Sequence, residues 1–437
     1  MLPAPRRSPE MTLPSSVPSS SPAPPAPAPG AGAGSVFDVI VIGLGAVGSA
    51  LAMQLAQRGV RVLGLDRFSP PHDRGSSHGA TRITRLSVGE GAAYVPLVRR
   101  SHALWPQIEA ATGTRLFERT GLMVVGTPAS AVAAYHGQAD FLGQTFALAQ
   151  RFGIAHERLS PAQVRDRFPA FRLADVDAAY FEPEGGVLFP EACVAAQCTL
   201  AERHGATLRR GTPVTAIEPQ GPGGRTGVAV HTPSGAFGAA QAVLCAGAWT
   251  PQIALQVGSA SRAPFSVPAV ARLRVLRQVL HWFEPEQPTW FDAAQCPAFM
   301  WLHGPTPADA FYGFPRVDGR AGVKVATEQF EVDCAPDAVQ REVAPHEAAD
   351  LHRVHLAGRL AGLSERVADA AVCLYTQAPD GRFLVDVHPA AAALTVVSAC
   401  SGHGFKHSAG LGEALAQRLC GEVPAVDLSP FAFEATR

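Results

Sequence analysis

The chain has 437 residues, 47% of them hydrophobic and 17% charged, with a formal net charge of -1 at pH 7. That length implies two or three domains with sizeable cores. The near-neutral charge gives no basis for binding nucleic acid or an anionic membrane, and no apolar run is long enough to span a bilayer.

Residues 1–34 are dominated by Pro, Ala, Ser and Gly. Such a stretch buries too little apolar surface to offset its ordering entropy, and it reads as a disordered tail. No apolar segment follows Arg6-Arg7, which argues against a twin-arginine signal; Met11 offers an alternative start. A large chain of this kind is expected in a reducing cytoplasm with free thiols. Its cysteines, at 193, 198, 245, 296, 334, 373, 400 and 420, stand singly without zinc-type spacing, so no metal site is expected.

The first ordered element is the apolar run from Phe37, which ends in Gly43-x-Gly45-x-x-Gly48. A helical segment, Ala46 to Arg58, stops at Gly59, and a second apolar run, Val60 to Leu65, ends in Asp66. The order is strand, glycine turn, helix, strand, acid. Gly43 permits the tight turn, Gly45 lets a pyrophosphate approach the backbone, and Gly48 allows close helix–strand packing. The helix N-terminus offers free N–H groups to phosphates. Asp66 stands roughly 20 residues on, where a carboxylate binds the adenosine ribose. The pattern predicts a dinucleotide site and leaves FAD and NAD(P) both open.

A turn-rich loop follows at 69–79. Helices are predicted over Tyr94–Ala111, Ser130–Phe152, Pro161–Phe168 and Cys193–His204, with strands at 121–126 and Val214–Ile217. The stretch from Ala242 to Trp249 reads as another buried parallel strand ending in a small-residue turn. From Val267 to Phe330 the pattern changes to alternating strands of a mainly antiparallel second domain. Leu394–Ala399 is a strand that leads through Ser401-Gly-His-Gly-Phe-Lys406 into a helix over Ser408–Leu419. The expected division is a discontinuous nucleotide domain of 35–84, 181–262 and 373–432, interleaved with a second domain of 85–180 and 263–372.

Several segments together resemble the family of monomeric sarcosine oxidase and N-methyl-L-tryptophan oxidase. They are Gly75-Ser-Ser-His-Gly-Ala-Thr-Arg-Ile-Thr-Arg85, Gly89-Glu-Gly91, Tyr94-Val-Pro96, Phe181-Glu-Pro183, Tyr312-Gly-Phe-Pro315, Cys373-Leu-Tyr-Thr376 and Ser401-Gly-His-Gly-Phe-Lys406. The likeness runs from about Phe37 to Phe431. It implies an α/β protein with a glutathione-reductase-like, Rossmann-type FAD-binding domain and an antiparallel-sheet substrate domain. The implied reaction oxidises a secondary amino acid to an imine, which water splits, while oxygen becomes hydrogen peroxide. The implied partners are a small amino acid and O2, acting on a monomer.

The resemblance also implies residue roles. Arg85 and Lys406 hold the substrate carboxylate, for which an arginine fork is well shaped, and Gly402 and Gly404 let the backbone approach flavin and substrate. Arg82 and His78 stand beside the flavin. Cys373 links it covalently, a reaction that needs a thiolate and so favours nearby positive charge. Lys324 promotes the reaction with oxygen, where positive charge stabilises superoxide-like character. Tyr312 and Tyr375 line the substrate site. Gly43, Gly45, Gly48 and Asp66 hold the nucleotide.

Two positions depart from the family. Glu328 replaces an active-site histidine, and Ala80 replaces an aspartate. If the strand of Lys324 continues, Glu328 shares its face about 13 Å further along, where a carboxylate repels acidic substrates and favours a protonated amine. Alternatives remain at this point: a dehydrogenase with another electron acceptor, an oxidase of pipecolate or glycated amino acids, an NAD-dependent dehydrogenase, or a non-catalytic FAD-binding protein.

Overall fold

A computed structural model describes residues 37–258, 267–317 and 319–434. The tail expected at 1–34 lies outside the described residues.

Among the described residues the chain builds two eight-stranded sheets and one three-stranded sheet. The first sheet grows from the opening glycine motif. Strand Phe37–Ile42 pairs in parallel with Val62–Leu65 on one side and with the end of Gly235–Leu244 on the other. Ala391–Ser398 extends the sheet beyond Leu244, again in parallel, and Thr207–Arg209 closes the opposite edge. The inner runs are apolar on both faces because helices cover both faces of such a sheet; Ile40 to Ile42 and Val62 to Leu65 are all buried. Ala216–Gln220 and Gly227–Thr232 add an antiparallel extension.

Helices Ala46–Gln57, Tyr94–Thr112, Pro190–Arg203 and Ser408–Leu419 pack as a layer on this sheet. The last helix owes its place to two glycines. A Cβ on Gly412 would lie 2.6 Å from Ala50 Cβ, and one on Gly410 would lie 2.5 Å from Leu97 O. Their absence lets three helix backbones approach.

The second sheet runs in the order Leu363–Gln377, Arg274–Pro285, Val323–Thr327, Ala310–Gly313, Ala298–Leu302, Leu122–Gly126, Ala178–Glu182, Glu157–Leu159. All pairs are antiparallel except Ala298–Leu302 with Leu122–Gly126. The fold is therefore mixed α/β with one largely parallel and one largely antiparallel sheet. The boundary expected at residue 373 falls inside the strand Leu363–Gln377, so Cys373 rides on the antiparallel sheet. The boundary at 181 falls within Ala178–Glu182.

One predicted helix is corrected. The stretch Ser130–Phe152 is a short 3-10 turn, Pro128–Val132, a loop, and a helix only from Phe141. His136, Gly137 and Asp140 have left-handed backbone, with φ 48°, 75° and 48°, which a helix does not accept. Asp140 then caps the new helix by accepting from Gly143 N at 3.1 Å.

The glycine turn yields a stability test. A Cβ on Gly59, at φ 75°, would meet no atom within 4 Å, whereas one on Gly48 would lie 1.8 Å from Gly43 O. Gly59→Ala should cost about 1–2 kcal/mol of backbone strain. Gly48→Ala should cost more, because a buried carbonyl must move. Urea denaturation of the two variants checks the order.

Candidate active site

The glycine turn sits at the carboxyl end of the parallel strands, where open α/β sheets place their ligands. Gly43 has φ 91°, and a Cβ there would lie 2.6 Å from Cys245 O. A Cβ on Gly45 would meet only Ser77 Oγ, at 3.5 Å, so this backbone stays open to the cavity. Ala46 N–H, at the helix start, donates to Ser77 Oγ at 3.2 Å. Asp66 Oδ2 accepts from Leu44 N and Oδ1 from Phe68 N, both at 2.8 Å. Burial raises the Asp66 pKa against these bonds.

From this turn a cavity of about 490 Å³ runs to the antiparallel sheet. Gly43, Gly45 and Asp66 line one end; Tyr312, Tyr375 and Lys406 line the other. The described residues thus present an open phosphate turn, a buried acid and a continuous groove, which fit an extended dinucleotide. They contain no group of three or more His, Cys, Asp or Glu side chains able to hold a metal ion. No helix among them is long and apolar enough to cross a membrane.

Arg85 and Lys406 come together although they lie on distant segments. Arg85 Nη2 donates to Glu90 Oε2 at 2.8 Å, and Lys406 Nζ donates to Glu90 Oε1 at 3.0 Å. Lys406 also donates to His403 O at 2.9 Å. Both cations and the acid are buried and line the cavity. Arg85 lies 5.0 Å over the Phe141 ring. Its segment is held by Glu182, which accepts from Leu86 N at 2.5 Å, Ser87 N at 3.0 Å and Tyr180 O–H at 2.8 Å. Burial works to raise the Glu90 pKa, but Arg85 and Lys406 hold it well below the usual range. Burial pulls Lys406 down to about 8, with Glu90 opposing.

Arg82 points elsewhere, as its spacing from Arg85 predicts. It donates to Ser76 O and Thr81 O at 2.7 Å and to Cys373 Sγ at 3.4 Å. Burial works to raise the Cys373 pKa, but Arg82, His78 and Lys324 bring it down to about 7. His78 is buried and borders a smaller pocket with Glu191 instead of the main cavity. Lys324 is buried too, and donates to Gly79 O at 2.6 Å, Thr81 O at 2.9 Å and Thr81 Oγ1 at 3.1 Å. Cys373, Lys324 and His78 therefore stand behind the 75–82 segment, while Arg82 lines the cavity in front of them. Gly402 and Gly404 form its wall beside Lys406.

The placement expected for Glu328 is corrected. Its strand ends at Thr327, because the Gln278 side chain takes over the next backbone bonds: Gln329 N donates to Gln278 Oε1 at 3.0 Å, and Gln278 Nε2 donates to Gln329 O at 2.7 Å. Glu328 turns into the cavity. Its Oε1 accepts from Tyr375 O–H at 3.0 Å, and its Oε2 lies 3.2 Å from His136 Nε2. Burial raises both tyrosine pKa values, Tyr375 and Tyr312. Residues to which the sequence assigns no role also line the cavity, among them Glu90, Tyr135 and His136. Glu90 carries a signal, its place in Gly89-Glu-Gly91. His136 carries none beyond the neighbouring Gly137.

The family model described as FAD dependent oxidoreductase matches residues 38–418. The chain belongs to the FAD-dependent oxidoreductase family. It is 38% identical over 383 residues to a monomeric sarcosine oxidase of Streptomyces avermitilis, covering 87% of this chain and 92% of that one. It is 33% identical over 405 residues to an N-methyl-L-tryptophan oxidase of Yersinia pestis, covering 92% and 100%. Among solved structures it is similar to NikD, described as an unusual amino acid oxidase essential for nikkomycin biosynthesis, with TM-score 0.75, 26% identity and coverage of 91% and 97%. FAD is thus the dinucleotide of this family, which settles the choice that the glycine motif left open.

The titration of Lys406 gives a measurable pH dependence. A bound carboxylate raises the pKa of an adjacent ammonium, so affinity is full below the free-state pKa and falls above it. For a carboxylate ligand without an amine, Kd should stay level up to about pH 8. It should then rise by up to about tenfold per pH unit. Titration from pH 6.5 to 9.5 checks this, and Lys406→Met should flatten the profile.

Proposed function

We propose that the protein is an FAD-dependent oxidase of N-methyl or other secondary amino acids. Bound FAD supplies a two-electron acceptor for the C–H bond next to nitrogen. The observation that carries the reading is the pair of buried cations, Arg85 and Lys406, converging in the cavity that also holds the glycine turn. Such a pair binds a carboxylate and fixes the rest of a small amino acid in one orientation, and positioning of this kind supplies much of the acceleration. The likeness to a sarcosine oxidase and an N-methyl-L-tryptophan oxidase supports the same substrate class.

In this reading Gly43 and Gly45 would hold the cofactor's phosphates, with Gly48 letting the helix start pack close to the turn, Asp66 would hold its ribose, and Arg82 and Gly404 would border its ring system, in a glutathione-reductase-like domain. Tyr312, Tyr375 and the ring of Phe314 exclude water around the amine. Cys373 is the linking residue, which requires the 75–82 segment between it and the cavity to give way, and the nearby charge of Arg82 favours its thiolate. Lys324 provides positive charge close behind the 79–81 backbone, which favours oxygen as the acceptor. The enzyme works as a monomer on a diffusible substrate, and imine hydrolysis completes demethylation.

Anaerobic addition of sarcosine or N-methyl-L-tryptophan should bleach the flavin, and air should restore it with one peroxide per amine. Lys406→Met should raise KM for the amino acid at least about tenfold, the loss of a charge-assisted bond; an unchanged KM removes the clamp. Cys373→Ser should yield protein whose flavin is released by acid precipitation. Flavin retained in the acid pellet of that variant shows that Cys373 is not the link.

A further inference from the structure

The cavity holds a second charged feature that the clamp does not use. Glu328 and His136 are both buried, with Glu328 Oε2 3.2 Å from His136 Nε2. Burial works to raise the Glu328 pKa, but His136, Tyr135 and Tyr375 lower it below the ordinary value. His136 is held in a costly conformation. Its φ is 48°, a region that disfavours side chains by about 1–2 kcal/mol, and its Nδ1 is buried without a hydrogen-bond partner. Such strain persists only where the surroundings enforce it. Here they do: the ring is 4.3 Å from Tyr135, 5.3 Å from His403 and 6.3 Å from Phe141.

These same neighbours tie the pair to the clamp. Phe141 lies under Arg85 at 5.0 Å, and His403 O accepts from Lys406 Nζ at 2.9 Å. Gly402 makes room between them. A Cβ there would lie 2.8 Å from His136 Cε1 and 3.0 Å from Glu328 Oε1. The cavity thus has a positive end, Arg85 and Lys406 less the charge of Glu90, and beside it an ionised carboxylate. The other titratable groups around Glu328 are Tyr135, Tyr312 and Tyr375, which remain neutral because burial raises their pKa.

We infer that Glu328, backed by His136, is an ammonium subsite, so that the cavity takes its amino acid as a zwitterion with the carboxylate on Arg85 and Lys406 and the cationic nitrogen facing Glu328. The inference rests on the clamp reading above. His136 shares Glu328 with the ligand. Its Nε2 stands 3.2 Å from Glu328 Oε2, so the ligand nitrogen and the imidazole compete for the same carboxylate. The pair therefore sets a preference for ligands with a cationic nitrogen over neutral isosteres.

Two small carboxylates, different in charge and by one methyl group, test this in the holoenzyme through the change of their relative affinity between variants: N,N-dimethylglycine, cationic at nitrogen, and (methylthio)acetate, neutral at sulfur. Their Kd values follow from perturbation of the flavin spectrum near pH 7.5. The wild-type protein should favour dimethylglycine. Glu328→Gln, which keeps a partner for Tyr375, should reduce that preference at least tenfold and leave (methylthio)acetate bound as well or better. His136→Asn should increase the preference severalfold, since the ligand nitrogen then has Glu328 Oε2 to itself. A folded Glu328→Gln protein with the same preference overturns the subsite, and so does equal weakening of both ligands in either variant, the mark of a merely structural pair. If wild-type protein binds neither ligand, the clamp reading fails and the subsite with it.

Discussion

One buried carboxylate shared by two cations organises this molecule. Glu90 holds Arg85 on one oxygen and reaches Lys406, 316 residues away in sequence, with the other. Taking these charges out of water costs several kcal/mol per ion, and that cost is offset only if each partner is held in place. The surroundings show the holding. Glu182 pins the backbone after Arg85, Phe141 supports the guanidinium, and His403 O fixes Lys406. Remove any support and the ions gain freedom to separate toward water. The ion bridge thus demands that the loop after Arg82–Thr84, the strand Ala178–Glu182 and the turn before Ser408–Leu419 meet at one point. That meeting point is the cavity's polar end.

The glycine pattern was legible because each glycine answers a local steric demand. Gly48 faces a carbonyl, Gly43 needs a left-handed backbone, and Gly45 faces open space. The demand on Gly48 comes from Gly43, five residues away, and that on Gly43 from its own backbone, so spacing reveals them, although Cys245 also closes on Gly43 from a distant strand end. The helix Ser408–Leu419 was legible for the same reason, down to both ends. The pairing of Arg85 with Lys406 was not of this kind. Composition places both on a solvated surface, and only resemblance to a known family brought them together. The third member, Glu90, sat in a recognised motif, but its meaning depends on contacts that no local window contains.

The region around His136 shows where sequence reading stops. Ser130 to Phe152 has helical periodicity at both ends, and the break depends on left-handed positions at His136 and Asp140 that their residue types only weakly favour. Glu328 was misplaced through a related error. Alternation along a strand projects its residues correctly only while the strand lasts, and here a side chain from the neighbouring strand, Gln278, ends the ladder at Thr327. In both cases a non-local contact overrode a sound local rule. Both lie at the cavity, as expected where function tolerates local inconsistency.

The charge count at Arg85 and Lys406 explains why an internal carboxylate belongs there. Without Glu90, Arg85 and Lys406 would stand as two adjacent buried positive charges in the free protein, and burial would drive Lys406 toward its neutral form. Glu90 reduces the excess to a single charge and opposes that loss of the proton. In the proposed clamp a substrate carboxylate would then bring this group to neutrality, so binding would remove an uncompensated charge instead of creating one. With Glu90 absent, the same carboxylate would still find two cations, but at a site that had been costly to keep charged. The internal acid weakens attraction to any one anion and keeps the lysine able to receive it.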